Sequence, residues 1–297
     1  MKGSPTEAIN ALRRLGVHIT MNSAGEVEEI DGSDSRIEND HLQLLESFPS
    51  VVNVNVGSNV TDEGLIHLQT LKSLRVLALQ SPSITGRGFT FLTGLRSLES
   101  LYLRGSGVQE SQLASLEALK PLKIVNLADL QITDAAISHV VALPKLEWLN
   151  VSGTALTDHG CDILSKCAKL IRLDCSNTVI GDMGVKAIAG IHTLRYLILN
   201  HTNVTDAGSD SIARLSDLEL LDVSYCHITS RGVLPLRALR RLRVLRLQGT
   251  DITDEALEYI REMRSLSALT LSSGKVNERA INALTEDMPD LDVETEE

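Results

Sequence analysis

Aromatic residues are nearly missing from this chain: Phe, Trp and Tyr together make up 3% of its 297 residues. Aliphatic side chains must therefore supply most of the 43% hydrophobic content. That excludes a core built around a few large rings and points to many small, similar layers. No stretch approaches the roughly 20 apolar residues of a membrane helix. The first residues, Met1 to Asn10, lack the charged-then-apolar order of a secretory leader. A cytoplasmic protein is expected, or a secreted one if a leader has been removed. Excess positive charge is also missing. With 39 acidic against 28 basic side chains the formal charge is −11, and such a surface repels a polyphosphate backbone, so nucleic acid is not an expected partner. Cys161, Cys167, Cys175 and Cys226 contain no CxxC pair for zinc or redox chemistry and are expected as free thiols in a reducing compartment.

Catalytic signatures are absent as well: there is no GxxxxGK[ST], HExxH or GxSxG. His41, His139, His159, His192 and His227 are scattered through turns and expected helices, where a solvated or locally bonded ring is the simpler reading than a general base. No enzyme activity, cofactor or metal is expected.

What the chain does have is leucine at a fixed spacing. Leu74, Leu98, Leu122, Leu146, Leu170, Leu194, Leu218, Leu242 and Leu266 follow one another every 24 residues. Three and five residues further on comes an apolar pair, as in Leu101 and Leu103 or Leu149 and Val151; that alternation is a short strand with one buried face. A polar turn, an Ile or Val and then Thr-Asp follow in many copies, such as Val60-Thr61-Asp62 and Val204-Thr205-Asp206. Thr and Asp are good N-cap residues, and the spacing of Gly64-Leu65, Leu68 and Leu71 is helical. Each repeat therefore reads as strand, turn, short helix. One such unit cannot cover its own apolar edge, so neighbours must stack.

These residues give the chain a resemblance to leucine-rich-repeat proteins, with the consensus LxxLxLxxTxITDxGLxxLxxL over roughly residues 27 to 291. Thr154, Thr178, Thr202 and Thr250 stand at the turn position where many such proteins carry Asn. The pattern is most similar to bacterial arrays such as those of planctomycetes, and more distantly to the cysteine-containing repeats of F-box proteins, although no F-box-like segment precedes the repeats. The resemblance implies an α/β solenoid, a right-handed curved horseshoe with a parallel sheet on the concave face and short helices on the convex face. It also implies a non-enzymatic module that binds a protein or peptide, as a monomer and without a membrane.

One continuous domain is expected, in three parts. Residues 1–50 supply an N-terminal cap and an atypical first repeat. Ser4-Pro5-Thr6-Glu7 has capping-box form, and Val17 to Met21 with Val27 to Ile30 form a hairpin through Asn22-Ser23-Ala24-Gly25. Residues 51–291 hold about ten repeats, and 292–297 read as a frayed acidic tail.

In LxxLxLxx strands the leucines face the core, so the intervening positions project from the sheet and align in columns. One column contains Trp148, Arg172, Tyr196 and Leu220; the next contains Tyr102, Asp174, Ile198, Asp222 and Arg246. The sole tryptophan thus lies on the exposed face, with Arg172 and Tyr196 following, and aromatics with arginine anchor many interfaces. These nine residues are the candidate binding site. Asp174 and Asp222, with Asn200, His201 and Tyr225 just beyond the strands, are placed to meet a partner's basic group. The two carboxylates are two repeats apart, about 9–10 Å, too far to share one metal ion. Two further readings stand beside protein binding: a spacer in a larger assembly, and a carbohydrate or small ligand on the aromatic face. Finally, Arg231, Arg237, Arg240, Arg241, Arg243 and Arg246 form a basic run, either a local anion site or, as their scatter favours, solvated charge.

Overall fold

The computed structural model describes residues 4–296, and the chain divides into two compact units, Met1–Leu146 and Glu147–Glu297. The first opens with α1 (Pro5–Arg14). The Ser4 hydroxyl accepts the Glu7 backbone N–H while the Glu7 carboxylate accepts that of Ser4, at 3.3 and 2.8 Å, so two otherwise orphaned donors are satisfied reciprocally. Ala8 and Leu12 are buried beneath it. Strands β1 (His18–Met21) and β2 (Val27–Asp31) form the expected antiparallel hairpin. From β2 the pairing turns parallel through β3 (Asn53–Val56), β4 (Val76–Leu79), β5 (Ser100–Tyr102) and β6 (Ile124–Asn126).

Opposite these strands lie 3-10 segments at Asn39–Ser47, Asp62–Thr70, Arg87–Leu92 and Glu110–Ala118, and only then an α-helix, α2 (Asp134–Val141). The repeat pattern does not separate the two kinds of segment, and the cap alone does not decide it, since the α-helices Asp182–Ile188 and Asp254–Ile260 also start without a side-chain cap bond. Thr133 bonds the Ala135 N–H and starts α2. Glu38, Gly86 and Gln109 occupy that place in three of the 3-10 segments, and in the fourth the Thr61 hydroxyl is taken by the Asn39 amide at 2.8 Å.

The second unit has seven parallel strands: β7 (Trp148–Asn150), β8 (Arg172–Asp174), β9 (Tyr196–Ile198), β10 (Leu220–Asp222), β11 (Val244–Arg246), β12 (Ala268–Ser272) and β13 (Asp292–Glu296). Between them run α3 (Asp158–Leu164), α4 (Asp182–Ile188), α5 (Asp206–Ile212), α6 (Ser230–Leu236), α7 (Asp254–Ile260) and α8 (Glu278–Asp287). One expectation is corrected here. The acidic segment read as a frayed tail is β13, which pairs with β12 from Asp292↔Ala268 to Glu296↔Ser272 and buries Leu291 at its start. An open strand edge offers unpaired backbone donors and acceptors to any segment that follows, and that outweighs the acidic composition. Glu297 lies outside the described residues.

The repeats lock together through two devices. Within a repeat, the hydroxyls of Thr154, Thr178, Thr202 and Thr250 are buried and donate to the carbonyls three residues back. Cys226 fills the remaining place in this series, its thiol directed to the Leu199 carbonyl at 3.1 Å. Between repeats, the Asp that opens a helix reaches the turn of the next repeat: Asp182 accepts from the Thr205 N–H and hydroxyl at 2.8 and 2.7 Å, and Asp206 does the same with Thr229 at 2.7 and 2.6 Å. Thr133, Thr157, Thr205 and Thr229 each cap their own helix, whereas the Asp serves the neighbouring repeat.

All four cysteines are free and buried. Burial pushes the Cys167 thiol up to about 11 and the Cys175 thiol well above its ordinary value, so little reactive thiolate forms at neutral pH. The native protein is expected to react slowly with thiol reagents and to titrate four thiols once denatured without reductant. Fewer than four in freshly purified protein would refute the free-thiol assignment.

Candidate functional site

Parallel register settles which side chains are neighbours. Trp148, Arg172, Tyr196, Leu220, Val244 and Ala268 are successive cross-strand partners, and so are Asn150, Asp174, Ile198, Asp222, Arg246 and Thr270. The two columns are those expected from the repeat, now extended by Asp292 and Glu294 of β13. Tyr102 stands in the first unit between Ala78 and Asn126. It is half-buried, and burial raises its hydroxyl pKa.

The central strand residues Leu149, Leu173, Leu197, Leu221 and Leu245 are buried, leaving Trp148, Tyr196, Ile198 and Leu220 half-buried and Arg172 and Arg246 exposed on the other face. The face is ordered by its own charges. The Arg172 guanidinium lies 5.2 Å from the centre of the Trp148 ring and that of Arg195 lies 5.8 Å from Tyr196, distances at which a cation is drawn to the ring face. Arg195 also forms an ion pair with Glu219, which accepts the Tyr196 hydroxyl at 3.2 Å. The Arg195 hydrogen bond, against a smaller opposing effect of burial, lowers the Glu219 pKa.

The two aspartates are less available than their positions implied. Asp174 accepts from the Ser176 N–H and hydroxyl at 3.0 and 2.6 Å and from the Asn150 amide at 3.2 Å. Asp222 is 7% exposed, accepts the Ser224 N–H at 3.0 Å and sits 3.7 Å from the Arg246 guanidinium. Both close the turn after their strand. Among the described residues no three His, Cys, Asp or Glu side chains are grouped to hold a metal ion, and no helix is long and apolar enough to cross a membrane.

Beyond the strands the backbone needs a left-handed residue once per repeat. Gly153 and Gly249 meet this at φ +67, but His201 and Tyr225 hold it at +57 and +55, at a cost of about 1–2 kcal/mol for a residue with a Cβ. Their rings stack, with centres 4.2 Å apart and planes 6° from parallel, and Tyr225 is 41% exposed. A Cβ on Gly249 would lie 2.2 Å from Tyr225 Cδ1, so the tyrosine ring lies over bare backbone. His201 and Tyr225 were visible in the sequence as residues past the strand ends; their stacking depends on an αL turn that the sequence does not announce.

A family model described as Leucine Rich repeat matches residues 190–213, 215–236 and 239–260. No curated protein matches the chain. Among solved structures it is similar to an internalin (inlF) from Listeria monocytogenes, at 18% identity and a TM-score of 0.65, over 99% of this chain and 94% of that one. It is also similar to an internalin C2 (inlC2) from the same organism, at 22% identity and a TM-score of 0.57, over 70% and 83%. At these identities the likeness shows the fold.

Proposed function

We propose, on the premise that this chain is a leucine-rich-repeat protein, that it binds another protein through the sheet face of its second unit and catalyses no reaction. Fold alone would not carry this reading. The observation that does is the register that brings Trp148, Arg172, Tyr196 and Leu220 side by side, with their rings and aliphatic surface outside the leucine core. Half-exposed aromatics pinned by neighbouring guanidiniums are rigid before a partner arrives, so little conformational entropy is lost on binding. The face's aspartates and Glu219 are engaged in turns and ion pairs, which suits recognition by shape more than proton transfer. Four buried thiols and the acidic surface fit a reducing compartment and a partner other than nucleic acid.

The test compares substitutions on the two faces of one strand. Trp148→Ala and Tyr196→Ala are each expected to weaken partner binding by about 2 kcal/mol, roughly 30-fold, with little change in melting temperature. Leu149→Ala, fully buried, is expected to cost about 3 kcal/mol of stability. Calorimetric titration and thermal melting separate the outcomes. A Trp148→Ala protein that melts as low as Leu149→Ala yet binds normally makes the indole structural and ends this site assignment.

A further inference from the structure

Three arginines of this acidic protein line one cleft of the second unit. Its volume is about 460 Å3, and Glu219, Arg240, Arg241, Arg243, Ser265 and Ser267 form its walls. The sheet register builds it. Leu220, Val244 and Ala268 are cross-strand neighbours, so Glu219, Arg243 and Ser267, one residue earlier in each repeat, form a row with steps of about 4.8 Å. The turns leading into β11 and β12 add Arg240, Arg241 and Ser265.

The positive charge of this cleft is not cancelled from within. Arg241 pairs with Asp217 at 2.8 Å, and Glu219 is held by Arg195 and Tyr196. Among the described residues Arg240 and Arg243 have no ion-pair partner within 4 Å, and the Ser265 hydroxyl has no hydrogen bond. Arg243 touches the local balance only as a more distant charge that helps to lower the Glu219 pKa. Ser267 donates to the Arg243 carbonyl at 3.2 Å and acts as wall. Two exposed guanidiniums and a free hydroxyl thus border one concavity.

We propose that this cleft binds a phosphate monoester, with Arg240 and Arg243 holding the oxyanion and Ser265 donating to it. A monoester carries about −1.5 to −2 charge near neutral pH and so matches two cations, and the planar guanidinium fork bonds two of its oxygens at once. The volume lies within the roughly 300–1,000 Å3 of small-ligand pockets, more room than a bare oxyanion fills, which favours an anion carried on a larger body. The site adjoins the sheet face but needs no protein partner for its test, so its failure and that of the binding-face proposal are separate events.

The full chain would be titrated calorimetrically with inorganic phosphate and then with phenyl phosphate, at ionic strength held constant with chloride. Phenyl phosphate is expected to bind at least tenfold more tightly than inorganic phosphate. Arg240→Gln combined with Arg243→Gln is expected to lower its affinity at least tenfold, whereas Arg231→Gln, exposed on α6, leaves it unchanged. If the double variant melts early, Arg240→Gln alone, which breaks no ion pair, is expected to show a loss of several-fold. Unchanged binding in these variants, or an equal response to chloride, overturns the site. Phenyl phosphate binding no tighter than inorganic phosphate overturns the ester assignment.

Discussion

Replacing Asp62 with Ala is expected to lower the stability of the first unit by about 3 kcal/mol at neutral pH. Its carboxylate accepts four hydrogen bonds from the following repeat: from the Thr85 hydroxyl at 2.6 Å, and from the Thr85, Gly86 and Gly88 N–H groups at 3.0 Å each. Hydrogen bonds to a charged group are worth about 1.5–3 kcal/mol each, and truncation leaves all four donors to be re-solvated in a half-buried turn, so the sum is well below four full bonds. Burial by itself would raise the Asp62 pKa, but the bonds from Thr85, Gly88 and Gly86 outweigh it and the net shift is below the ordinary 3.8. The folded state therefore binds this proton more weakly than the unfolded chain does. The stabilisation is complete above the ordinary value and is lost as the pH falls through the lowered folded value. Urea unfolding of both proteins at neutral pH and at about pH 3 should show the gap between wild type and Asp62→Ala narrowing in acid. A neutral-pH difference below about 1 kcal/mol would show that the inter-repeat cap is dispensable.

Gly232→Ala is expected to cost about 2 kcal/mol although glycine is a poor helix residue and alanine the best. A Cβ at this position in α6 would stand 2.3 Å from Asp206 Oδ1 and 3.0 Å from Ile228 Cγ2. The carboxylate can move, but only by leaving the Thr229 N–H and hydroxyl. Two charge-assisted bonds lost, offset by about 1 kcal/mol of helix propensity, leave the net penalty. The same contact recurs at Gly208 with Asp182 and at Gly184 with Asp158, at 2.6 and 2.5 Å. If this account is right, Gly232→Ala and Asp206→Ala damage one contact and their costs are sub-additive: the double variant should be little worse than Asp206→Ala alone. Additive costs in a double-mutant cycle would mean that the glycine serves some other packing purpose.

The sequence by itself determined the repeat, the strand and helix faces, the capped N-terminus and the two exposed columns. Each of these follows from a local periodicity, and a 24-residue spacing with alternating leucines leaves one way to cover the apolar edge. Trp148 beside Leu149 had to point away from the core for the same reason. The tertiary structure decided what depends on contacts between repeats. Thr61 and Thr133 look alike in sequence, yet the hydroxyl of one is occupied by Asn39 and the other caps α2. The Asp of Thr-Asp has the composition of a helix cap but bonds the neighbouring turn, and the Gly in the next repeat's helix is small because that carboxylate needs the room. Acidic residues at the C-terminus form a strand because β12 offers an open edge. Arg240, Arg243 and Ser265 meet in one cleft because parallel register brings two successive turns together. Hydrogen-bond partners, register and edge pairing act between residues some 24 positions apart, and in those choices a local pattern carries no information about which donor finds which acceptor.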